Sequence, residues 1–229
     1  MCGRYRLSRA KHIIAEHFDI AEEIEWSPRY NIAPAQPVAV VRQNPERPVR
    51  QFSLMRWGLI PYWAKDANVG FKIINARAET VAEKPAYRDP FKNRRCLIPA
   101  DGFYEWKREG RVKQPFNFGM ADDSIFAFAG IWDRWKNPLG EMIETCSIIT
   151  TTPNALLADV HDRMPVILPL ENYDLWLDPG FKGTDDLREM LRPYEPSLMK
   201  RYPVSTRVNQ VKNVDPDCAM KLKQESVSA

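Results

Sequence analysis

Cysteine stands second in this chain, in "MCGRYRLSRA", and three other side chains able to do chemistry lie far from it: Asn75 in "INARAET", Glu105 in "GFYEWK" and His161 in "ADVHDRMPVIL". If the first residue is trimmed, which a small second side chain permits, Cys2 carries an amine and a thiol on one carbon skeleton. An α-amine titrates at about 7.7–8.0, so a useful fraction is neutral near pH 7 and can attack an aldehyde. The neighbouring thiol then closes a five-membered thiazolidine on the imine, an intramolecular step with a large entropic advantage. If the first residue stays, Cys2 is a small apolar side chain near a terminus.

The other three residues suit such chemistry, each with a plainer alternative. On a strand Phe103, Glu105 and Lys107 share one face while Tyr104 and Trp106 share the other. A carboxyl flanked by aromatics is desolvated, its pKa rises, and it becomes a proton donor at neutral pH; a glutamate on the wet face of a strand is the alternative. His161 enters a new apolar run with Asp162 to orient its imidazole and Arg163 to bind an anion, whereas His12 and His17 read as solvated positions of a first helix. Asn75 and Arg77, two apart, share a face if extended, and an amide beside a guanidinium suits a phosphate or a sugar; a surface strand pair explains them equally. "RWGLIPYWAKD" interleaves Arg56, Trp57, Tyr62, Trp63 and Lys65, a composition suited to base stacking and phosphate contact, with Trp57 read as core. "RYNIAPAQ" supplies Arg29, Asn31 and a proline corner at Pro34.

The elements that must position these residues are mostly strands. "PVAVVRQ", "QFSLMRWGLI", "RRCLIPA", "GFYEWK", "PFNFGM", "SIFAFAGIWDRW" and "TCSIITTT" are rich in aromatic and β-branched residues and separated by turn formers. "LSRAKHIIAEHF" predicts one early helix capped by Ser8, and "LPLENYDLWL" and "GTDDLREML" predict short helices, the second capped by Thr184. A final strand-like run, "YPVSTRVNQV", follows. This order predicts an α+β fold whose mainly antiparallel sheet curls into a barrel, in a single domain over 1–229 with its core at about 2–213. "RQNPERPVRQ" reads as a loop between strands and the last ten residues as a tail.

Composition narrows the function classes. The chain has 229 residues, 44% of them hydrophobic and 28% charged, as expected of a packed globular protein. Thirty-three basic against 30 acidic residues leave a net charge of +3, too small by itself to mark a nucleic-acid binder. Cys2, Cys96, Cys146 and Cys218 form no C-x-x-C pair, so neither a zinc site nor a redox couple is expected, and they read as reduced thiols of a cytoplasmic protein. No apolar stretch is long enough to span a bilayer.

Taken in order, "MCGRY", "RYNIAP", "RWGLIP", "INARAET", "PADGFYEWK", "HDRMPVIL" and "YPVSTRVN" resemble the SOS response-associated peptidase family from Cys2 to about Asn213. That resemblance implies abasic-site capture: a β-rich α+β fold with a basic groove for single-stranded DNA, in which a thiazolidine forms on the trimmed Cys2. By position Cys2 matches the crosslinking residue, Asn75, Glu105 and His161 match its supporting active-site residues, and Arg4 and Arg77 match positions that grip phosphates. Asn31, Pro34, Trp63, Trp106 and Thr150 fall where the family lines its groove, with Pro34 and Trp106 wedging against bases. The chain reads Trp63-Ala64 where some relatives carry a second tryptophan, so stacking there is expected to be weaker. Neither metal nor cofactor is implied, and a monomer near the chromosome is expected. Two rival readings use the same residues: an N-terminal-nucleophile cysteine peptidase acting on its own leader, and a noncovalent reader of single-stranded or modified DNA.

Overall fold

The computed structural model describes residues 2–44, 47 and 49–222. Its strands are β1 (Tyr5–Leu7), β2 (Arg29–Ile32), β3 (Pro37–Gln43), β4 (Arg50–Trp57), β5 (Asn75–Arg77), β6 (Arg95–Ala100), β7 (Gly102–Glu109), β8 (Val112–Met120), β9 (Phe126–Lys136), β10 (Met142–Thr151), β11 (Met164–Pro165), β12 (Ile167–Leu168) and β13 (Met199–Pro203). Four short helices accompany them: α1 (Lys11–His17), α2 (Arg88–Asn93), α3 (Tyr173–Leu177) and α4 (Thr184–Glu189).

Five strands close a ring in the order β10, β4, β3, β6, β9 and back to β10. Every step of the ring is antiparallel except β4 on β10, where Arg56 and Trp57 run parallel to Thr145 and Cys146. β5 lies along β10, pairing Asn75 with Ile148 and Arg77 with Thr150. A second sheet, β13-β8-β7-β1-β2, covers the barrel. The expected curled α+β architecture is therefore the observed one.

Alternation explains how the second sheet packs. Tyr5 and Phe103 pair across β1 and β7 and so share its inner face. The Tyr5 ring meets Trp57 and Phe128 of the barrel edge-on at 5.4 and 5.7 Å, and Phe103 stacks on Phe118 at 5.2 Å. The outer face carries Tyr104, which packs with Val204, Val208 and Cys218 of the C-terminal segment. Where β6 crosses into β7, a Cβ on Gly102 would stand 2.6 Å from Arg6 Nε and 2.7 Å from Asn117 Oδ1, so only glycine leaves room for the hydrogen bond between those two groups. Asp101, beside it, is 3% exposed and accepts from the Ser8 backbone and hydroxyl while pairing with Arg6.

Several local expectations are corrected. Ser8 does not cap α1, whose cap position is Ala10 with no side-chain bond, because its hydroxyl is held by Asp101. Thr184 is the first helical residue of α4 and Gly183 precedes it as the cap. The strand expected over "YPVSTRVNQV" stops at Pro203, and a 3-10 turn, Thr206–Asn209, follows with Ser205 accepting from the Arg207 N–H. His17 is half-buried, edge-on to Phe18 at 4.7 Å, rather than solvated. Of the expected tail, Lys221 still bridges Val204 and the Leu222 N–H donates to Pro203, while residues 223–229 lie outside the described residues. The proline-rich stretch does join β3 to β4, although Pro45, Glu46 and Pro48 lie outside them as well. No helix among the described residues is long and apolar enough to cross a membrane.

Candidate active site

Register brings the N-terminus to Glu105. Tyr5 pairs with Phe103, and the Tyr104 N–H donates to the Arg4 carbonyl, so residues 2–4 continue alongside residues 104–106. Cys2 is fully buried with the first residue in place, and its thiol takes a hydrogen bond from the Arg4 backbone N–H. Burial pushes that thiol far up from its ordinary value, and the nearby Glu105 carboxylate adds to the rise.

Glu105 shares the inner face with Phe103, which explains its burial at 3% exposure. Desolvation raises its pKa to about 8, so the carboxyl is mostly protonated at neutral pH. Its Oε1 has no hydrogen-bond partner among the described residues. Its Oε2 lies 4.0 Å from His161 Nε2.

His161 comes from the turn that follows β10. Asn154 builds that turn, its side-chain oxygen accepting from the Leu156 and Leu157 N–H groups and its amide donating to the Tyr194 carbonyl. Burial pulls the imidazole pKa down. Nδ1 has two neighbours of opposite demand: the Arg163 N–H, which donates to it at 3.0 Å, and Asp162 Oδ1 at 2.9 Å, which needs a proton on it. With a neutral Nδ1 the Arg163 bond is satisfied and Nε2 presents its proton towards Glu105. The Arg163 side chain, read from sequence as an anion binder, is instead bidentate to Glu79 at 2.7 and 2.9 Å and bonded to the Thr150 carbonyl.

Asn75 stands on the barrel side, half-buried on β5, and neither its amide nitrogen nor its oxygen has a partner among the described residues. Unmet donors and acceptors at Asn75 and Glu105 are costly in an interior. They are the condition expected of a site that waits for a polar ligand.

A cavity of about 510 Å³ opens beside Glu105 and His161, lined by Arg4, Glu105, Trp106, Arg108, Lys113, His161 and Asn209, with Cys2 and Asn75 outside its lining. Three of the seven are Arg or Lys and the one acid, Glu105, mostly holds its proton at neutral pH, so the opening favours an anion. Trp106 is half-exposed, donates its indole N–H to Asn209 Oδ1 at 2.7 Å, and has the Arg4 guanidinium 5.9 Å from its ring centre. Arg4 also donates to Asn31 Oδ1 at 2.8 Å and to the Val208 carbonyl at 2.7 Å.

The other sequence candidates sort by exposure. Arg77 and Trp63 are exposed and Pro34 is half-buried, all outside the cavity's lining. Asn31 is 1% exposed and gives its amide to three carbonyls, of Val208, Gln210 and Asn213, so it offers no free atom to a strand and instead anchors Arg4 and the C-terminal turn. Thr150, also 1% exposed, bonds back to the Ala76 carbonyl. Arg108, Lys113 and Asn209 were not singled out from sequence. The available signal was the Arg and Lys placed symmetrically on the β7–β8 hairpin, where Arg108 pairs with Lys113.

A family model described as SOS response associated peptidase matches residues 1–211. The abasic site processing protein YoqW of Bacillus subtilis (strain 168) is 45% identical over 221 residues, 95% of this chain and 98% of that protein. The abasic site processing protein HMCES of Gallus gallus is 34% identical over 231 residues, covering 88% of this chain and 68% of its own length. A crystal structure of a protein from Bacteroides thetaiotaomicron superposes with a TM-score of 0.88 at 27% identity, covering 97% of this chain and 100% of that one.

Proposed function

Because this chain belongs to the SOS response-associated peptidase family, we propose that it processes abasic sites in single-stranded DNA by covalent capture on Cys2, whose amine is freed by removal of the first residue. The relatives described above are abasic site processing proteins. The observation that carries the chemical reading is a largely protonated, buried carboxyl at Glu105, close enough to Cys2 to perturb its thiol and within reach of His161.

The Cys2 amine adds to C1′ of the open-chain sugar aldehyde to give a carbinolamine. Glu105 donates its proton to the carbinolamine hydroxyl, which leaves as water, and an iminium remains. The Glu105 carboxylate then takes the thiol proton, the sulfur attacks the iminium carbon, and the C=N electron pair returns to nitrogen. The product is a thiazolidine, one water is lost, and the carboxyl is regenerated. A resident base helps here because the buried thiol does not ionise unaided. His161 serves the sugar oxygen that is released when the closed hemiacetal opens, and Asn75 orients the amine with its unpartnered amide. Arg4 and Arg77 hold flanking phosphates, with Trp106 and Pro34 wedged against neighbouring bases and Trp63 and the Thr150 region completing the groove.

Intact-mass measurement after incubation with an abasic single strand tests the proposal. The expected species is protein lacking its first residue plus oligonucleotide minus one water. Cys2→Ala should abolish it while retaining noncovalent binding. Both Cys2→Ala and Cys2→Ser keep the α-amine, so either should leave only an imine that needs borohydride reduction to survive. A covalent product in Cys2→Ala that survives without reduction, or binding without any covalent product in the native chain, would overturn the assignment, the latter in favour of a noncovalent reader.

A further inference from the structure

At the far end of β10 from the candidate site lies a second enclosed space, a cavity of about 230 Å³ whose lining includes Arg42, Arg94, Arg95, Arg134, Trp132 and Leu177 and, among the described residues, no acidic one. Glu144, which anchors two of the arginines, and Thr150, which abuts the first site, are six residues apart on this strand, so the two ends are about 20 Å apart.

Two of the arginines, Arg42 and Arg94, each have a buried Nε–H left without an acceptor among the described residues. Arg42 and Arg134 both donate to one oxygen, Glu144 Oε1, each at 2.9 Å, so two cations share one carboxylate. Their guanidinium carbons lie 4.4 and 5.3 Å from the centre of the Trp132 ring. Arg94 pairs with Asp89 and with Asp133 at 3.3 Å. Arg95 gives all five N–H groups to backbone carbonyls, of Trp176, Phe91, Lys92, Asp178 and Phe181, with the Asp178 carboxylate acting on it through space.

Four clustered guanidinium groups, two unmet N–H donors and an aromatic and aliphatic floor form a recognisable combination. Planar guanidinium groups match phosphate oxygens in geometry, while Trp132 and Leu177 suit the apolar side of a sugar or base. We propose that this cavity is a second anion site, one that binds a phosphate carried by a mononucleotide or by a nucleic-acid strand that continues past the first site. Nothing in the mechanism above uses it. Its free-ligand form stands apart from the abasic-site reading, and only its strand form rests on that reading.

Thermal unfolding of the full chain with pyrophosphate and with dAMP, each compared with sodium chloride at equal ionic strength, provides the test. At about 5 mM ligand and a Kd of about 0.5 mM the midpoint should rise by roughly 3 °C or more. Arg134→Gln, at a half-exposed side chain outside the core, should weaken binding about fivefold to tenfold and leave capture of a short abasic strand unchanged. If Arg134→Gln lowers the unliganded midpoint, direct titration followed by Trp132 fluorescence reads affinity independently of stability. Neither anion protecting beyond chloride, or equal affinity in Arg134→Gln, overturns the proposal. Oligonucleotides extended stepwise from the lesion identify the source: a deficit in Arg134→Gln that appears only beyond about four nucleotides assigns the phosphate to the strand, and a deficit independent of length assigns it to a free ligand. Loss of capture in every preparation, with anion binding intact, would count against the capture chemistry and not against this site.

Discussion

Glu105 carries the strongest consequences at the scale of one residue, because its pKa of about 8 stands well above its ordinary 4.5. Below pH 4.5 the carboxyl is protonated in both the folded and the unfolded chain, and its burial carries no ionic penalty. Between 4.5 and 8 the unfolded chain ionises while the folded one holds its proton, so stability falls as pH rises. Above 8 both are ionised and the penalty levels off at about 3–5 kcal/mol. Glu105→Gln should therefore flatten the stability curve across this window and exceed the native chain in stability at pH 9, as measured by urea unfolding at several pH values. Capture needs a neutral amine, titrating at about 7.7–8.0, and a protonated acid, so its rate should follow a bell with its maximum near pH 8. Glu105→Gln should lose the alkaline limb and, by analogy with other proton donors, about 10²–10⁴ in rate; a profile unchanged by the substitution would exclude Glu105 as the donor. Sequence alone allowed both a wet and a buried glutamate here. What decided between them was which face of β7 meets the barrel, a property of sheet packing that alternation does not supply.

Among the elements, the C-terminal 3-10 turn Thr206–Asn209 depends on a residue far away in sequence. Asn31 on β2 binds it through the Val208 carbonyl and holds Arg4 with its other atom. Asn31→Ala leaves buried carbonyls unpaired and should cost about 1–3 kcal/mol in urea unfolding. It should also raise the DNA concentration needed for half-maximal capture more than it lowers the maximal rate, since what it loses is the placement of Arg4. Asn31→Asp keeps the acceptor for Arg4 and loses the donors, so it should rescue DNA affinity more than stability. Strand positions were legible in this sequence because aromatic and β-branched runs ended at turn formers. Caps were less so: Ser8 has the right residue type three positions before α1, yet a buried Asp101 offered its hydroxyl a stronger partner. The interior role of Asn31 was equally hidden, since an asparagine in a strand is the same letter whether it faces a groove or clamps a loop.

Across the whole molecule, closure of the barrel rests on tight approach of strands. A Cβ on Gly130 of β9 would lie 2.8 Å from Cys96 Sγ and 2.9 Å from Ile98 Cδ1. Gly130→Ala should destabilise by about 1–3 kcal/mol, read as a lowered thermal midpoint, and pairing it with Cys96→Ala should recover part of the loss. Turn spacing pointed to a barrel, but the parallel joint between β4 and β10 was not legible, because no local pattern marks two distant strands as neighbours. The pairing of β1 with β7 is equally distant: the second residue of the chain takes its place only when a strand about a hundred residues later has been made. At about 5–20 residues per second a ribosome needs several seconds to reach it. Throughout that interval the amino end stands outside the sheet, and afterwards Cys2 is buried. If the first residue is removed as the capture proposal requires, the order of synthesis acts as a clock, giving that trimming a head start over folding.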